Sequence, residues 1–200
     1  MRVQPFSNIG HTFVGHVVHS GMADDISKTP LIAFYRGLAP DAAGRKIDEI
    51  WDWDLRRLEM AHDYIQWLFP LPERSRFNPD APCLTAADAR TFAIDEDLQT
   101  RLARSLDVML HFYGLSRQGG AILRTRDFAA RAANWLTPLN HNHLRLTRML
   151  LALGYLGRKS DAAALLACLT EITATDGREA VSERTAGFWQ AAVHQPPPLP

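Results

Sequence analysis

Net charge of either sign is missing from this chain of 200 residues, in which 22 Lys and Arg balance 22 Asp and Glu. The broad electrostatic footprint of a nucleic-acid or anionic-membrane binder is therefore lacking, and neither partner is expected. No uninterrupted apolar run of about 18 residues occurs, which excludes a helix spanning a bilayer. Near the N-terminus the apolar residues are interrupted by His11, Gly15, His16 and His19, so no secretory signal is read there. The two cysteines, Cys83 and Cys168, have no metal-like spacing and are too few for a disulfide scaffold, which suits a reducing, cytoplasmic compartment. A glycine-rich phosphate loop, a GxSxG elbow and paired CxxC motifs are all missing. Nothing beside Ser105, Ser116 or Cys83 would activate them as nucleophiles. An enzyme is the less expected class, and no cofactor is implied.

What is present is helical punctuation. With 46% apolar and 22% charged residues, the chain can bury one substantial core. Residues 1–28 read equally as helix or strand. Thr29 and Pro30 start a short helix that Gly37 and Pro40 end. From Arg45 the positions Ile47, Ile50, Trp51, Leu55, Leu58, His62 and Ile65 recur at helical spacing, predicting one long helix running towards Trp67 and stopped by Pro70 and Pro72. Thr85 with Asp88 forms an acidic capping box for a short helix. Asp95 caps a run through Leu98, Leu102, Leu106, Met109 and Tyr113 that closes at Gly114, after which "SRQGG" reads as a turn or mobile loop. Further helices are expected over 127–135, from a cap at Asn140 through "NHNHLRLTRMLLALGYLG" as the central helix, from Ser160 to about Thr173, and over 182–192. The expected fold class is all-α, an irregular single-domain bundle of about six to eight helices. It covers residues 29–192 and is followed by a proline-rich tail at 193–200.

Three groupings could carry chemistry. His62–Asp63 resembles the dipeptide of His-Asp metal-dependent phosphohydrolases, with His141 or His143 as a further ligand. Helical phase nevertheless turns Asp63 about 100° from His62. His62 then falls in the apolar stripe with Leu58 and Ile65 as a packing histidine, within reach of Glu59 one turn earlier. His141 and His143 would point to different sides of a helix, so no metal site is assigned. The third grouping, His141, Arg145 and Arg148, gives one helix a cationic edge at its N-terminal turn, where an anion is favoured. Arg124, Arg126 and Arg131 could add charge. The plainer reading pairs these arginines with acids such as Asp48, Asp52, Asp54 or Glu59 as helix staples.

"FYRG" at 34–37, "PD" at 40–41, "EMAHDYIQWLFPLPE" at 59–73, "APCLT" at 81–85, "LDVMLHFYG" at 106–114 and "NHNHLRLTRMLLALGYLG" at 140–157 occur in one order. In these blocks, over about residues 31–157, the sequence resembles the conserved N-terminal region of the opioid growth factor receptor family. The resemblance implies a receptor or peptide-binding activity, since the animal family is known for binding an opioid pentapeptide and for growth-inhibiting signalling associated with the nucleus. It implies no ligand-binding residues. The animal pattern's basic nuclear-import tract and C-terminal repeats are not found here, and the Ala- and Arg-rich composition looks microbial, which argues against an opioid ligand.

The leading expectation is a non-enzymatic helical binding module for a peptide or anionic small molecule. His141, Arg145, Arg148, Arg131, His62 and Trp67 are its candidate binding residues, and Tyr64, Phe69 and Trp135 further groove aromatics. The alternatives are a metal-dependent hydrolase using His62 and Asp63 with His141 or His143, and a structural partner-binding protein whose proline tail docks elsewhere.

Overall fold

The computed structural model describes residue 1, residues 29–76 and residues 78–199; the ambiguous segment with His11, His16 and His19 lies outside the described residues. Among the described residues ten helices and one hairpin follow in the order α1 (Pro30–Tyr35), α2 (Ile47–Trp51), α3 (Leu55–Met60), α4 (Ile65–Leu68), α5 (Ala86–Ile94), α6 (Glu96–Tyr113), β1 (Leu115–Gln118), β2 (Ala121–Arg124), α7 (Phe128–Trp135), α8 (Asn142–Tyr155), α9 (Lys159–Ala174) and α10 (Glu183–His194). The helical expectation holds, but the fold is not strictly all-α, and the helices are shorter and more numerous than about six to eight.

Several of the local capping signals are realised as read. The Thr29 hydroxyl accepts from the Ile32 N–H and donates to Asp88. Asp88 in turn accepts from the Thr85 hydroxyl and N–H, tying the starts of α1 and α5 together through one buried carboxylate. Asp95 caps α6 and Ser182 caps α10. Gly114 closes α6 with a left-handed φ of 78°.

Two expectations are corrected. The predicted helix from Arg45 to Trp67 is three short helices. Asp54 accepts from the Arg57 N–H at 2.7 Å and so caps a new start one turn after α2 ends. At the other break, the carbonyls of Leu58, Glu59 and Ala61 would pair with the N–H groups of His62, Asp63 and Ile65 in a continuous helix. They are instead taken by the Arg145 guanidinium at 3.0, 3.3 and 2.7 Å, and Leu58 also accepts from the Tyr64 hydroxyl. Asp63 is drawn aside by Arg45 at 2.9 Å, while Asn78 donates to its carbonyl. Of the apolar stripe, Ile47, Ile50, Leu58 and Ile65 remain buried, whereas His62 does not.

The second concerns "SRQGG": its reading as a turn holds at Gly119 and Gly120, but the stretch is no mobile loop, since it is the centre of an antiparallel hairpin pairing Leu115 with Arg124 and Gln118 with Ala121. Gly119 and Gly120, at φ of 55° and 87°, supply the two positive dihedrals that a two-residue turn following the strand twist requires.

One apolar cluster joins these elements, from Leu31 in α1 to Trp189 and Ala192 in α10. The central helix α8 packs on α9 and α10, α6 contacts α1, α2, α5, α7 and β1, and β2 lies on α9.

Candidate functional site

The site begins at the first turn of α8. Asn140, expected to cap that helix, instead accepts from the Asn142 N–H at 2.9 Å and donates to the Asn134 carbonyl and the Thr137 hydroxyl, and the helix starts one residue later than expected, at Asn142, with His141 at the cap position. This start buries Asn142, His143 and Arg145 and leaves His141 exposed.

Arg145 organises what lies beneath. Only 5% exposed, it reaches across to the α3–α4 break and donates to the three carbonyls there. It also donates to Asn142 Oδ1 at 3.3 Å and to His62 Nδ1 at 3.0 Å. Its guanidinium stands 5.6 Å from the centre of the Tyr64 ring. Glu59 completes the charge balance, accepting from Asn142 Nδ2 at 3.1 Å and lying 3.8 Å from Arg145 and 3.4 Å from His141 Nε2. Burial pushes the Tyr64 phenol up to about 12 even though Arg145 opposes it.

The two exposed histidines meet edge to face, His62 and His141 having ring centres 5.2 Å apart. The reading of His62 as a core packing residue is thus corrected: once the helix breaks at Ala61, its ring swings outward onto Arg145 and His141. Because a guanidinium only donates, His62 Nδ1 accepts and the proton sits on Nε2. Neither nitrogen then offers a free lone pair to a metal. Partial burial lowers the His141 pKa, Glu59 opposing and the Arg145 charge adding to the fall. His143 faces the other way, as its two-residue spacing from His141 dictates, with Nε2 3.0 Å from the Trp135 carbonyl and its ring edge-on to Trp189 at 5.8 Å. Burial lowers its pKa also.

The other candidates are dispersed. Arg148 sits on α4, donating to the Phe69 carbonyl at 3.1 Å; burial brings its guanidinium down to about 10, with Glu73 opposing. Arg131 packs over Gly114, where an added Cβ would come within 2.9 Å of Arg131 Cβ and 2.8 Å of Phe128 Cα. Trp67 is buried against Phe34, and Tyr64, Phe69 and Trp135 are buried as well, so the aromatics expected to line a groove are core. Arg124 pairs with Asp176 and stacks on Phe128, and Arg126 is 3.7 Å from Asp127. The staple reading holds in part: of the acids it named, only Glu59 lies near one of these arginines, Arg145, and Arg145 and Arg148 hold the helices by donating to backbone carbonyls at the ends of α3 and α4.

Sequence reasoning missed a groove at the far end of α8. Leu71, Pro72 and Glu73 form one side, Leu151 and Tyr155 the other, and the exposed Pro197 and Pro198 of the proline tail border it; the open space between them is about 340 Å3. The Tyr155 hydroxyl donates to the Pro197 carbonyl at 2.7 Å. Both walls fall within the quoted sequence blocks, but only folding brings them together. A second space of about 340 Å3 borders the hairpin turn and is polar, lined by Arg117 with Asp107 and Asp161.

Fold and site together define a class: a small helical module whose buried arginines hold short helices against a central one, with an apolar groove beside it. The chain belongs to the opioid growth factor receptor family, whose conserved-region model matches residues 31–196. It is 39% identical over 126 residues to the mouse opioid growth factor receptor, covering 62% of this chain and 20% of that protein. Against the human receptor it is 37% identical over 154 residues, 72% of this chain and 22% of the relative. With the mouse opioid growth factor receptor-like protein 1 it shares 34% over 145 residues, 68% and 30% of the two chains. The chain therefore spans less than a third of these relatives' length. No solved structure matches it. Among the described residues no helix is long and apolar enough to cross a membrane.

Proposed function

We propose that this chain is a non-enzymatic helical module that binds peptide, with the groove between residues 71–73 and the C-terminal half of α8 as its site. The observation that carries the reading is that the chain's own proline tail lies along one edge of it, accepting from the Tyr155 hydroxyl through the Pro197 backbone carbonyl and packing Leu199 on the core. The name "receptor" borne by the relatives supports the class of activity. In this reading Arg145 and Arg148 are positioning residues rather than an anion site, because their hydrogen bonds go to carbonyls at the ends of α3 and α4 and so set the course of the chain into residues 71–73. Against the hydrolase alternative stand the Nε2 tautomer of His62 and the ion pair between Asp63 and Arg45. The ligand class implied by the relatives' name, an opioid peptide, is one member of the test set and is not required.

The test is selection from a library of displayed linear peptides on the full chain, with amide hydrogen exchange to map the selected binders. Added protection at residues 71–73 and 151–155 is expected. Failure to select any peptide, or protection confined to other elements, overturns the reading.

A further inference from the structure

We propose that the groove is specific for uncharged, proline-rich segments in the polyproline conformation, and that residues 195–199 are a resident ligand which a partner's proline-rich segment displaces. This rests on the peptide-binding reading of the groove. A polyproline helix has no internal hydrogen bonds, its prolines bring no N–H, and its carbonyls point outward, so a receptor must offer donors and apolar faces together. Tyr155 offers both, presenting its ring to the groove and its hydroxyl to the Pro197 carbonyl. Burial and the Glu73 charge push that phenol up, so it remains a donor at neutral pH. Leu71, Pro72 and Leu151 supply a floor with no hydrogen-bonding side chain to leave unmatched. Such ligands also lose little entropy on binding, because their conformation is set beforehand.

The charge balance points to the same occupant. Glu73 is the acidic group on the rim, and the Arg148 guanidinium interacts with it electrostatically while donating to the Phe69 carbonyl. Residues 195–199, "QPPPL", carry no charge, so the segment lying against the groove makes no ion pair with either. Tethering raises the local concentration of the chain's own tail to about the millimolar range, so a free peptide meets a competitor that is always present.

A fluorescent peptide of residues 194–200, "HQPPPLP", tests this by anisotropy against three full-length proteins: the unaltered chain, a variant with Pro196, Pro197 and Pro198 all changed to Ser, and that variant with Tyr155→Phe added. Opening the groove is expected to tighten binding about tenfold by removing the tethered competitor. Tyr155→Phe then weakens it about fivefold, as for one lost hydrogen bond, with an unchanged melting temperature. Equal binding to all three proteins, or no binding to the opened variant, overturns the proposal. If peptides selected without proline bind the opened variant and respond to Tyr155→Phe while the proline peptide does not, the specificity fails and the peptide-binding reading stands. If no peptide of either kind binds, both fail. A dimer of the unaltered chain that the triple proline variant loses, seen by sedimentation, would give the groove to the tail of a second copy and likewise overturn displacement by a partner.

Discussion

Arg145 shows how much one side chain determines here. It is the shared donor for three carbonyls at the end of α3 and for His62 Nδ1, with Glu59 nearby to balance it. Removing it strands buried acceptors, and an ammonium cannot reproduce the planar fork that reaches them. Arg145→Met is expected to cost about 3 kcal/mol in urea denaturation, and Arg145→Lys to recover less than half of that. Equal stability of the Lys variant and the unaltered chain would show that charge, not fork geometry, matters. His143 carries a different signature. Its pKa is lowered by burial, so the unfolded chain takes up a proton near pH 6.5 that the folded chain refuses. Its effect is absent above the unfolded pKa, and stability declines as pH falls through about 6.5, by at most about 1.4 kcal/mol per pH unit for one proton. The more exposed His141 is shifted in the same direction. In His143→Gln, whose amide can still donate to the Trp135 carbonyl, urea midpoints measured at pH 7.5 and 5.5 should lie closer together than in the unaltered chain.

Among the elements, the junction of α6 with the hairpin and α7 is the most tightly constrained. Gly114 combines a left-handed backbone with contact to Phe128 and Arg131 closer than any real Cβ allows. Gly114→Ala is therefore expected to lose at least about 2 kcal/mol, from backbone strain and from displacement of α7. A thermal melt checks it, with Gly120→Ala as comparison. Gly120 also has positive φ but an added Cβ there meets nothing within 4 Å, so its loss should be smaller. The elements also show where sequence reading succeeds. Thr85 with Asp88, Asp95 and Gly114 were legible because capping is local chemistry within four residues. The break after Met60 was not, because the donor that ends the helix lies 84 residues beyond the Ala61 carbonyl it takes. The hairpin escaped notice because its strands are four residues long and only partly alternating, too short for a periodic signal.

At the scale of the molecule, one apolar cluster links α1 to α10, with Trp51 and Trp53 near its start and Trp189 near its end. Unfolding of the described region should then be a single cooperative event. Tryptophan fluorescence and far-UV circular dichroism are expected to give superimposable urea transitions, and a fluorescence transition preceding loss of helix would show that the core divides. The proline tail meets this unit through the Pro197 carbonyl on Tyr155 and through Leu199, while Pro196, Pro197 and Pro198 are exposed, so changing those prolines should shift the midpoint little. That separation makes the groove testable without unfolding the module.

Helical class, most helix boundaries, the central place of α8 and membership of the family followed from the sequence alone, because apolar periodicity, caps and ordered blocks are written in neighbouring residues. The three-way division of residues 47–68, the proton position on His62, the burial of Trp67 and the groove that holds the tail were decided only by tertiary structure. In each case a side chain meets backbone or ring atoms remote in sequence, and no local pattern encodes such a meeting: Arg145 lies 87 residues from Leu58, and Tyr155 lies 42 from Pro197.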